Sequence, residues 1–213
     1  MLFRSKRVAV IGTGSSAIQA IPEIAREAKQ VIVFQRTPNY TIPARNGPLS
    51  ASERDAIKAD YKGFRARANA TSSGVLYEFD PRSALEVSED ERRRKYQQCW
   101  DKGGTTFMGA FSDLVMNHEA NETAAVFVRE KIREIVKDPN VADMLSPRNV
   151  IGCKRLCIDT NYWTTFNSQH VTLVDVSGTP IERITKKGVM VGSHEYEVDA
   201  IVLATGFDAM TGA

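Results

Sequence analysis

A glycine-rich turn lies near the start of the chain, between a β-branched run and a segment with helical spacing. The apolar run is Val8-Ala9-Val10-Ile11, and it leads directly into Gly12-Thr13-Gly14-Ser15-Ser16-Ala17. Isoleucines and alanines then recur every three or four residues as far as about Lys29, which predicts a helix beginning at Ser15. A second run, Val31-Ile32-Val33-Phe34, follows. This order predicts the first βαβ unit of a Rossmann-like α/β fold.

The positions of the glycine turn have distinct physical roles in holding a dinucleotide. The first glycine permits the tight turn, the second lets the backbone approach a pyrophosphate, and the alanine allows the helix to pack closely on the strand. Backbone N–H groups at the helix start then point toward the phosphates. We therefore predict a dinucleotide site that includes Gly12, Thr13, Gly14, Ser15 and Ser16.

The end of the second strand indicates which dinucleotide is bound. An NAD site usually has a carboxylate about 20 residues beyond the turn, whereas an NADP site has a cation near the extra phosphate. Here the strand ends in Gln35-Arg36-Thr37, without a carboxylate. A guanidinium beside a hydroxyl can bind a phosphate dianion through charge-assisted hydrogen bonds. The sequence therefore predicts NADPH in preference to NADH, bound by Arg36 and Thr37.

The rest of the chain divides into a helical and a strand-rich part. From 46 to 149 the sequence is charged and favours helices, with apolar stripes at Ile57, Tyr61, Phe64 and Ala68 and at Ala125, Val128, Ile132 and Ile135. Turn signals divide it into four or five helices. Strand patterns return at 171–176, 181–185, 189–191 and 200–203.

These patterns predict an α/β architecture with an open parallel sheet and a β-meander. Residues 1–45 and 150–213 would form a discontinuous Rossmann-like NADP-binding domain, and 46–149 a helical insertion. The final strand leads into Ala204-Thr205-Gly206. Because ligands bind at the carboxyl edge of such sheets, we expect these three residues to lie beside the glycine turn and to border the cofactor.

Composition argues against several other classes of protein. With 28 basic and 26 acidic residues, the net charge of +2 is too small to indicate a nucleic-acid or membrane partner. Three cysteines without CxxC spacing fit neither a disulfide framework nor a zinc site, which favours a cytoplasmic location. His118, His170 and His194 have no ligand spacing, so we predict no metal. The basic run at 91–95 is bracketed by acidic residues and indicates a solvated helix face.

Several ordered motifs resemble those of Baeyer–Villiger monooxygenases, above all the NADPH domain of the phenylacetone and steroid monooxygenase group. They are Gly12 to Gln19, Phe34 to Tyr40, Pro43 to Asn46, Ser83 to Ser88, Gly152 to Leu156 and Ala204 to Asp208. Together they extend over essentially the whole chain, so they are far more specific than the glycine turn alone. The resemblance implies an enzyme that uses NADPH, FAD and oxygen to convert a ketone into an ester or lactone.

The resemblance also implies roles for individual residues. Arg36 and Thr37 would hold the 2′-phosphate of NADPH, with Lys154 as a further cation at the same phosphate. Gln19 would lie near the pyrophosphate and the nicotinamide. Arg155 matches the family's active-site arginine, whose fixed charge would stabilise negative charge that develops during oxygen insertion.

The chain departs from the family pattern in two places. The family usually has a proline just before the glycine of the Lys-Arg motif, whereas here Pro147 precedes that glycine by five residues. The earlier glycine-rich FAD motif and the histidine and tryptophan signature upstream of Lys6 are also missing. The resemblance therefore implies a fragment that binds NADPH, is separated from the FAD domain of its parent, and oxygenates nothing alone.

Two alternative functions stay open. A related flavin-containing monooxygenase that oxidises amines or sulfur would share the NADPH turn. A non-enzymatic NADPH-binding or sensing module would also fit a chain without a flavin site. A short-chain dehydrogenase is excluded, because no tyrosine is followed by a lysine four residues later.

Overall fold

The computed structural model of the chain describes residues 2–71, 74, 76 and 80–206. The described strands are β1 (Arg7–Ile11), β2 (Gln30–Gln35), β3 (Thr41–Pro43), β4 (Cys157–Asp159), β5 (Val171–Asp175), β6 (Ile181–Ile184), β7 (Gly188–Val191), β8 (His194–Glu197) and β9 (Ala200–Leu203). The described helices are α1 (Ser15–Ala25), α2 (Ala51–Ala59), α3 (Tyr61–Asn69), α4 (Glu89–Lys102), α5 (His118–Ile135), α6 (Pro139–Leu145) and α7 (Tyr162–Thr165), with a 3₁₀ helix at Gly104–Gly109. Of the resembling motifs, Phe207 and Asp208 lie outside the described residues.

Four strands form a parallel sheet in the order β5-β2-β1-β9. Val8, Ala9 and Val10 of β1 are fully buried, which explains their continuous apolar run, since both faces of this strand are covered. Helix α1 packs on one face of the sheet. The antiparallel sheet β6-β7-β8 covers the other face, where Phe34 packs edge-on against Tyr196. The predicted α/β class, with a parallel sheet and a β-meander, is confirmed.

Helix α1 ends at Ala25, earlier than the predicted end near Lys29. Lys29 instead donates its backbone N–H to the carbonyl of Lys6 at 2.8 Å. This bond brings the chain beside the start of β1, so the residues after Ala25 turn back toward the sheet instead of extending the helix. Pro22 is tolerated inside α1, and its carbonyl accepts from the N–H of Arg26 at 3.3 Å.

The chain between β3 and β4 folds into helices and loops within its described residues. Helices α4 and α5 pack through an aromatic cluster of Tyr96, Phe107, Phe111 and Phe127. The predicted stripe on α5 is largely buried, with Ala125, Val128 and Ile132 fully inaccessible. Side chains of α4 and α5 join those of β1 and α1 in one hydrophobic core. The division into a discontinuous domain and an insertion at 46–149 stays a prediction.

The predicted stripe from Ile57 to Ala68 is different, because it is divided between two helices. Asp60 separates α2 from α3 and caps α3 by accepting from the N–H of Gly63 at 3.0 Å. Neither helix has a buried residue, and Tyr61 is 57% exposed. The apolar spacing here therefore belongs to two short surface helices whose residues are not packed in a core.

A cluster of charged contacts joins Arg7, the first residue of β1, to the end of β8 and to the residue just before β9. Asp199 accepts from the backbone N–H of Arg7 at 2.7 Å and from its Nη2 at 2.9 Å. Glu197 accepts from Nη1 of the same arginine at 2.9 Å. The side-chain and backbone hydrogen bonds from Arg7 lower the pKa of Asp199 to about 2.

We expect Asp199→Asn to lower the free energy of unfolding at pH 7, because an amide cannot replace the charge-assisted bonds with Arg7. A carboxyl with a lowered folded pKa stabilises the fold above its unfolded pKa of about 3.9. That contribution disappears as the pH falls toward the folded value of about 2. Urea unfolding of both proteins between pH 7 and pH 2 should show that the difference in their free energies of unfolding shrinks as the pH falls. An equal difference at pH 7 and pH 2 would contradict the role of Asp199.

Candidate cofactor site

A cavity of about 730 Å³ opens at the carboxyl edge of the parallel sheet, beside the ends of β1 and β9. Open α/β sheets bind their ligands at this edge. Most of the residues predicted to bind a cofactor line this one cavity, namely Gly12, Thr13, Gly14, Ser15, Ser16, Arg36, Thr37, Lys154, Ala204, Thr205 and Gly206. The glycine turn, the end of β2 and the end of β9 are thus brought together.

Gly12 lines the cavity at the point where the ends of β1, β2 and β9 meet. Its φ of +108° lies in the region that favours glycine. A Cβ added to it would lie 2.4 Å from the carbonyl oxygen of Ala204, which is too close for any side chain. Gly12 also donates its N–H to the carbonyl of Phe34 at 3.0 Å, and Ala204 donates to that of Ile11 at 2.9 Å. A glycine is therefore required here by the protein itself.

Gly14 is in a different situation, because the protein leaves space around it. It is the N-cap of α1 with a φ of −83°, and no atom lies within 4 Å of an added Cβ. No side chain caps α1, and its first turn contains no acidic residue. The amides of this turn are available to an anion at the positive end of the helix dipole.

Two hydrogen bonds fix the glycine turn to the segment after β2. Thr13 donates its Oγ1 proton to the carbonyl of Thr37 at 2.9 Å, and Asn39 donates from Nδ2 to the carbonyl of Thr13 at 2.9 Å. The turn suited to a diphosphate and the segment that carries Arg36 are therefore held in one arrangement. Sequence reasoning did not single out Asn39, although it follows the predicted Thr37 by two positions.

The cavity lining is positively charged. Among its described residues, Arg36 and Lys154 are cations and no aspartate or glutamate is present. Both side chains are exposed, and within the described part of the chain neither forms a hydrogen bond or an ion pair. Two cations without an acidic partner suit a phosphate dianion, which accepts charge-assisted hydrogen bonds.

Strands β3 and β4 hold the chain that follows Lys154. They pair in parallel, and the backbone N–H of Cys157, the first residue of β4, donates to the carbonyl of Tyr40 at 3.3 Å. The buried Sγ of Cys157 lies 3.1 Å from Oγ of Ser15 in the glycine turn. This pair of strands was not predicted, yet it brings the Lys-Arg motif beside the turn.

The same strands are held together by the side chain of Asp159, the last residue of β4. This buried carboxylate accepts a hydrogen bond from Oγ1 of Thr41 and one from the N–H of Tyr162 at 3.0 Å. Burial raises the pKa of Asp159 above its ordinary value. Asp159 thus links β4 to β3 and to α7.

Gln19 and Arg155 are not among the described residues that line this cavity. Both are exposed, Gln19 on α1 and Arg155 in the loop next to Lys154. Their side chains form no hydrogen bond within the described part of the chain.

Three aromatic residues that follow β4, Tyr162, Trp163 and Phe166, are buried in the core, and Trp163 stacks on Trp100 with ring centroids 5.8 Å apart. In the described residues no group of histidine, cysteine, aspartate or glutamate side chains could hold a metal ion. Nor is any described helix both long and apolar enough to span a bilayer.

No family model matches the chain. Individual proteins match almost all of it. A solved structure of oxidized steroid monooxygenase bound to NADP is 48% identical with a TM-score of 0.94, covering 98% of this chain and 40% of that one. Cyclopentanone 1,2-monooxygenase from a Comamonas species is 41% identical over 97% of this chain and 38% of its own length.

A further relative is 2-oxo-Delta(3)-4,5,5-trimethylcyclopentenylacetyl-CoA monooxygenase from Pseudomonas putida, 40% identical over 99% of this chain and 39% of its own length. Phenazine N-monooxygenase from Lysobacter antibioticus is 35% identical over 98% of this chain and 39% of its own length.

Similar solved structures include complexes with NADP and with FAD. The chain spans about two fifths of the length of the relatives that it matches. The resemblance found in the sequence is confirmed: over almost its whole length, the chain corresponds to a segment of the Baeyer–Villiger monooxygenases.

Proposed function

We propose that the chain is the NADPH-binding part of an FAD- and NADPH-dependent Baeyer–Villiger monooxygenase. The whole enzyme would insert oxygen next to a ketone carbonyl and give an ester or a lactone. The observation that carries this proposal is the cavity at the sheet edge. It combines an uncapped helix start with Arg36 and Lys154, and none of its described lining residues is acidic.

The residues of the cavity fit the chemical groups of NADPH. In this proposal the amides at the start of α1 hold the diphosphate, close to the space left free beside Gly14. Arg36, Thr37 and Lys154 hold the 2′-phosphate, which NADH lacks. When bound, NADPH supplies a hydride and FAD supplies the oxygen chemistry, while the protein supplies binding and orientation.

Arg155 and Gln19 are not among the described residues of the cavity lining, and they have proposed roles of their own. Arg155 would be the cation of the active site, and Gln19 would contact the pyrophosphate and nicotinamide part of the cofactor. The guanidinium of Arg155 is exposed and has no hydrogen bond or ion pair with any residue that the structure describes, which supports this role, because such a cation can stabilise a charge presented by a neighbouring domain.

The domain division and the location complete the proposal. Residues 1–45 and 150–213 would form the NADPH-binding domain, with 46–149 inserted as helices. A cytoplasmic location is supported by three free cysteines, of which Cys153 is exposed.

We expect the chain to bind NADPH at least about tenfold more tightly than NADH, since a phosphate held by two cations contributes at least about 1.4 kcal/mol. Calorimetric titration of the folded chain with each nucleotide measures this ratio. Equal affinities, or no binding of either nucleotide, would refute the proposed site.

A second candidate is the oxidation of an amine or sulfur by the same cofactors. The 35% identical phenazine N-monooxygenase favours keeping it. Assaying the complete enzyme with a ketone and with a tertiary amine separates the two. Ester or lactone formation supports the first proposal, and N-oxide formation without any ester would replace it by the second.

A further inference from the structure

The loop that carries Lys154 is fixed at its start by a buried asparagine of α5. Asn121 is 3% exposed. Its Nδ2 donates to the carbonyls of Leu114 at 2.7 Å and Ile151 at 2.8 Å, while its Oδ1 accepts from the N–H of Ile151 at 3.1 Å. Both amide hydrogens are therefore used, and both polar backbone groups of Ile151 are bound by one side chain.

A second contact fixes the residues just before this point. The Oη of Tyr40 lies 3.0 Å from the carbonyl oxygens of both Pro147 and Asn149. Arg129, also on α5, donates from Nη1 to Tyr40 Oη at 3.1 Å. Helix α5 therefore holds the segment 147–151 by hydrogen bonds, directly from Asn121 and indirectly from Arg129 through Tyr40.

Beyond Ile151 the loop is bound to its own first residues at Cys153, whose N–H donates to the carbonyl of Val150 at 3.3 Å and whose Sγ accepts from Nδ2 of Asn149 at 3.2 Å. Its far end is held at β4. Residues 152–155 are exposed, and Leu156 leads into the buried Cys157 of β4. Lys154 itself has no hydrogen bond or ion pair within the described residues. Its position in the cavity wall thus depends on the two anchored ends of a short loop, and the anchor at Ile151 comes from the inserted helices.

We propose that Asn121 is a positioning residue that, together with Tyr40, holds Lys154 at the phosphate-binding part of the cavity. The helical segment between β3 and β4 thereby contributes to the preference for NADPH over NADH. This inference rests on the proposed function, because it assumes that Lys154 recognises the 2′-phosphate. Loosening the loop lowers the fraction of time that the ammonium spends in place, which weakens only the ligand that carries this phosphate.

The test compares Asn121→Ala with Asn167→Ala, since the side chain of Asn167 binds the last residue of α5 in a similar way. Asn167 donates from Nδ2 to the carbonyl of Ile135 at 2.8 Å and accepts from the N–H of Lys137 at 2.8 Å. It makes the same kind of bridge, but its partners Ile135 and Lys137 lie outside the loop that leads to Lys154. We expect Asn121→Ala to weaken NADPH binding about fivefold to tenfold and to leave NADH binding within about twofold. Asn167→Ala should leave the ratio of the two affinities unchanged.

A double-mutant cycle with Lys154→Ala shows whether Asn121 acts through this lysine. In the Lys154→Ala background, Asn121→Ala should produce no further change in the NADPH to NADH ratio. A purely structural role would instead lower both affinities together and leave the ratio intact, which would overturn the proposal. A further loss of NADPH preference in the double variant would overturn it as well.

Tyr40→Phe provides a milder variant if Asn121→Ala fails to fold, because it removes only one hydroxyl. Its NADPH to NADH ratio should fall about twofold to fivefold, and an unchanged ratio would count against the anchor. The unsubstituted chain separates the two claims. If it shows no preference for NADPH, the proposed function itself fails. If the preference is present but insensitive to Asn121 and Tyr40, only the positioning role fails.

Discussion

Gly14→Ala is expected to leave the chain folded and to weaken NADPH binding on the order of 100-fold, about 2.7 kcal/mol. The protein itself has room for the methyl group, since nothing lies within 4 Å of an added Cβ and the φ of −83° suits alanine. The diphosphate would occupy that same space against the first-turn amides. A methyl group there keeps the anion away from the N–H groups that bind it.

Gly12→Ala serves as the contrasting variant because it should lower the stability of the fold itself. The added Cβ would lie 2.4 Å from the carbonyl oxygen of Ala204 at a φ of +108°. Separating β1 from β9 costs on the order of 3 kcal/mol or more. Thermal unfolding followed by circular dichroism should show a large loss for Gly12→Ala and a change within about 1 kcal/mol for Gly14→Ala. NADPH titration of Gly14→Ala that matched the unsubstituted chain would remove the diphosphate from this turn.

The contrast between these glycines shows what the sequence can predict about this fold. The strands β1, β2 and β9 are apolar and locally continuous, so their periodicity was sufficient to identify them. Strands β3 and β4 are three residues long, one of them ends in Pro43, and they pair across the whole helical segment. These two strands form because of tertiary packing, and neither has a local sequence pattern that predicts it. Strand β8 was missed for a similar reason, because His194 to Glu197 is polar and only partly covered.

The candidate site was predictable to the extent that its residues are close in sequence. The glycine turn and Arg36 belong to one βαβ unit, whose geometry follows from short-range rules. Lys154 was suggested only by resemblance, and in the structure it lines the same cavity as Arg36. The hydrogen bonds of Asn39 and Asn121 join distant segments. An isolated asparagine gives no sequence signal for such a role, since the same residue type is common in turns and caps.

Arg36→Glu should reverse the nucleotide preference of the chain. It removes a charge-assisted contact worth about 1.5–3 kcal/mol and places a carboxylate against the 2′-phosphate. NADH has hydroxyls at that position, which a carboxylate accepts readily. We therefore expect the NADPH to NADH affinity ratio to fall on the order of 10²–10³-fold. The loss arises mainly from weaker NADPH binding, because Lys154 remains as the single cation of the described cavity lining.

Arg54→Glu is the matched control for this change in charge. Arg54 is an exposed arginine on α2, a helix without buried residues, and its only described ion pair is with the neighbouring Asp55. The net charge of the chain changes by the same amount, so any general electrostatic attraction of nucleotides falls equally in both variants. Calorimetric titrations with NADPH and NADH should show a normal ratio for Arg54→Glu and a reversed one for Arg36→Glu. If Arg36→Glu kept the original preference, recognition of the phosphate would have to be assigned to other residues, because a carboxylate at position 36 repels that group.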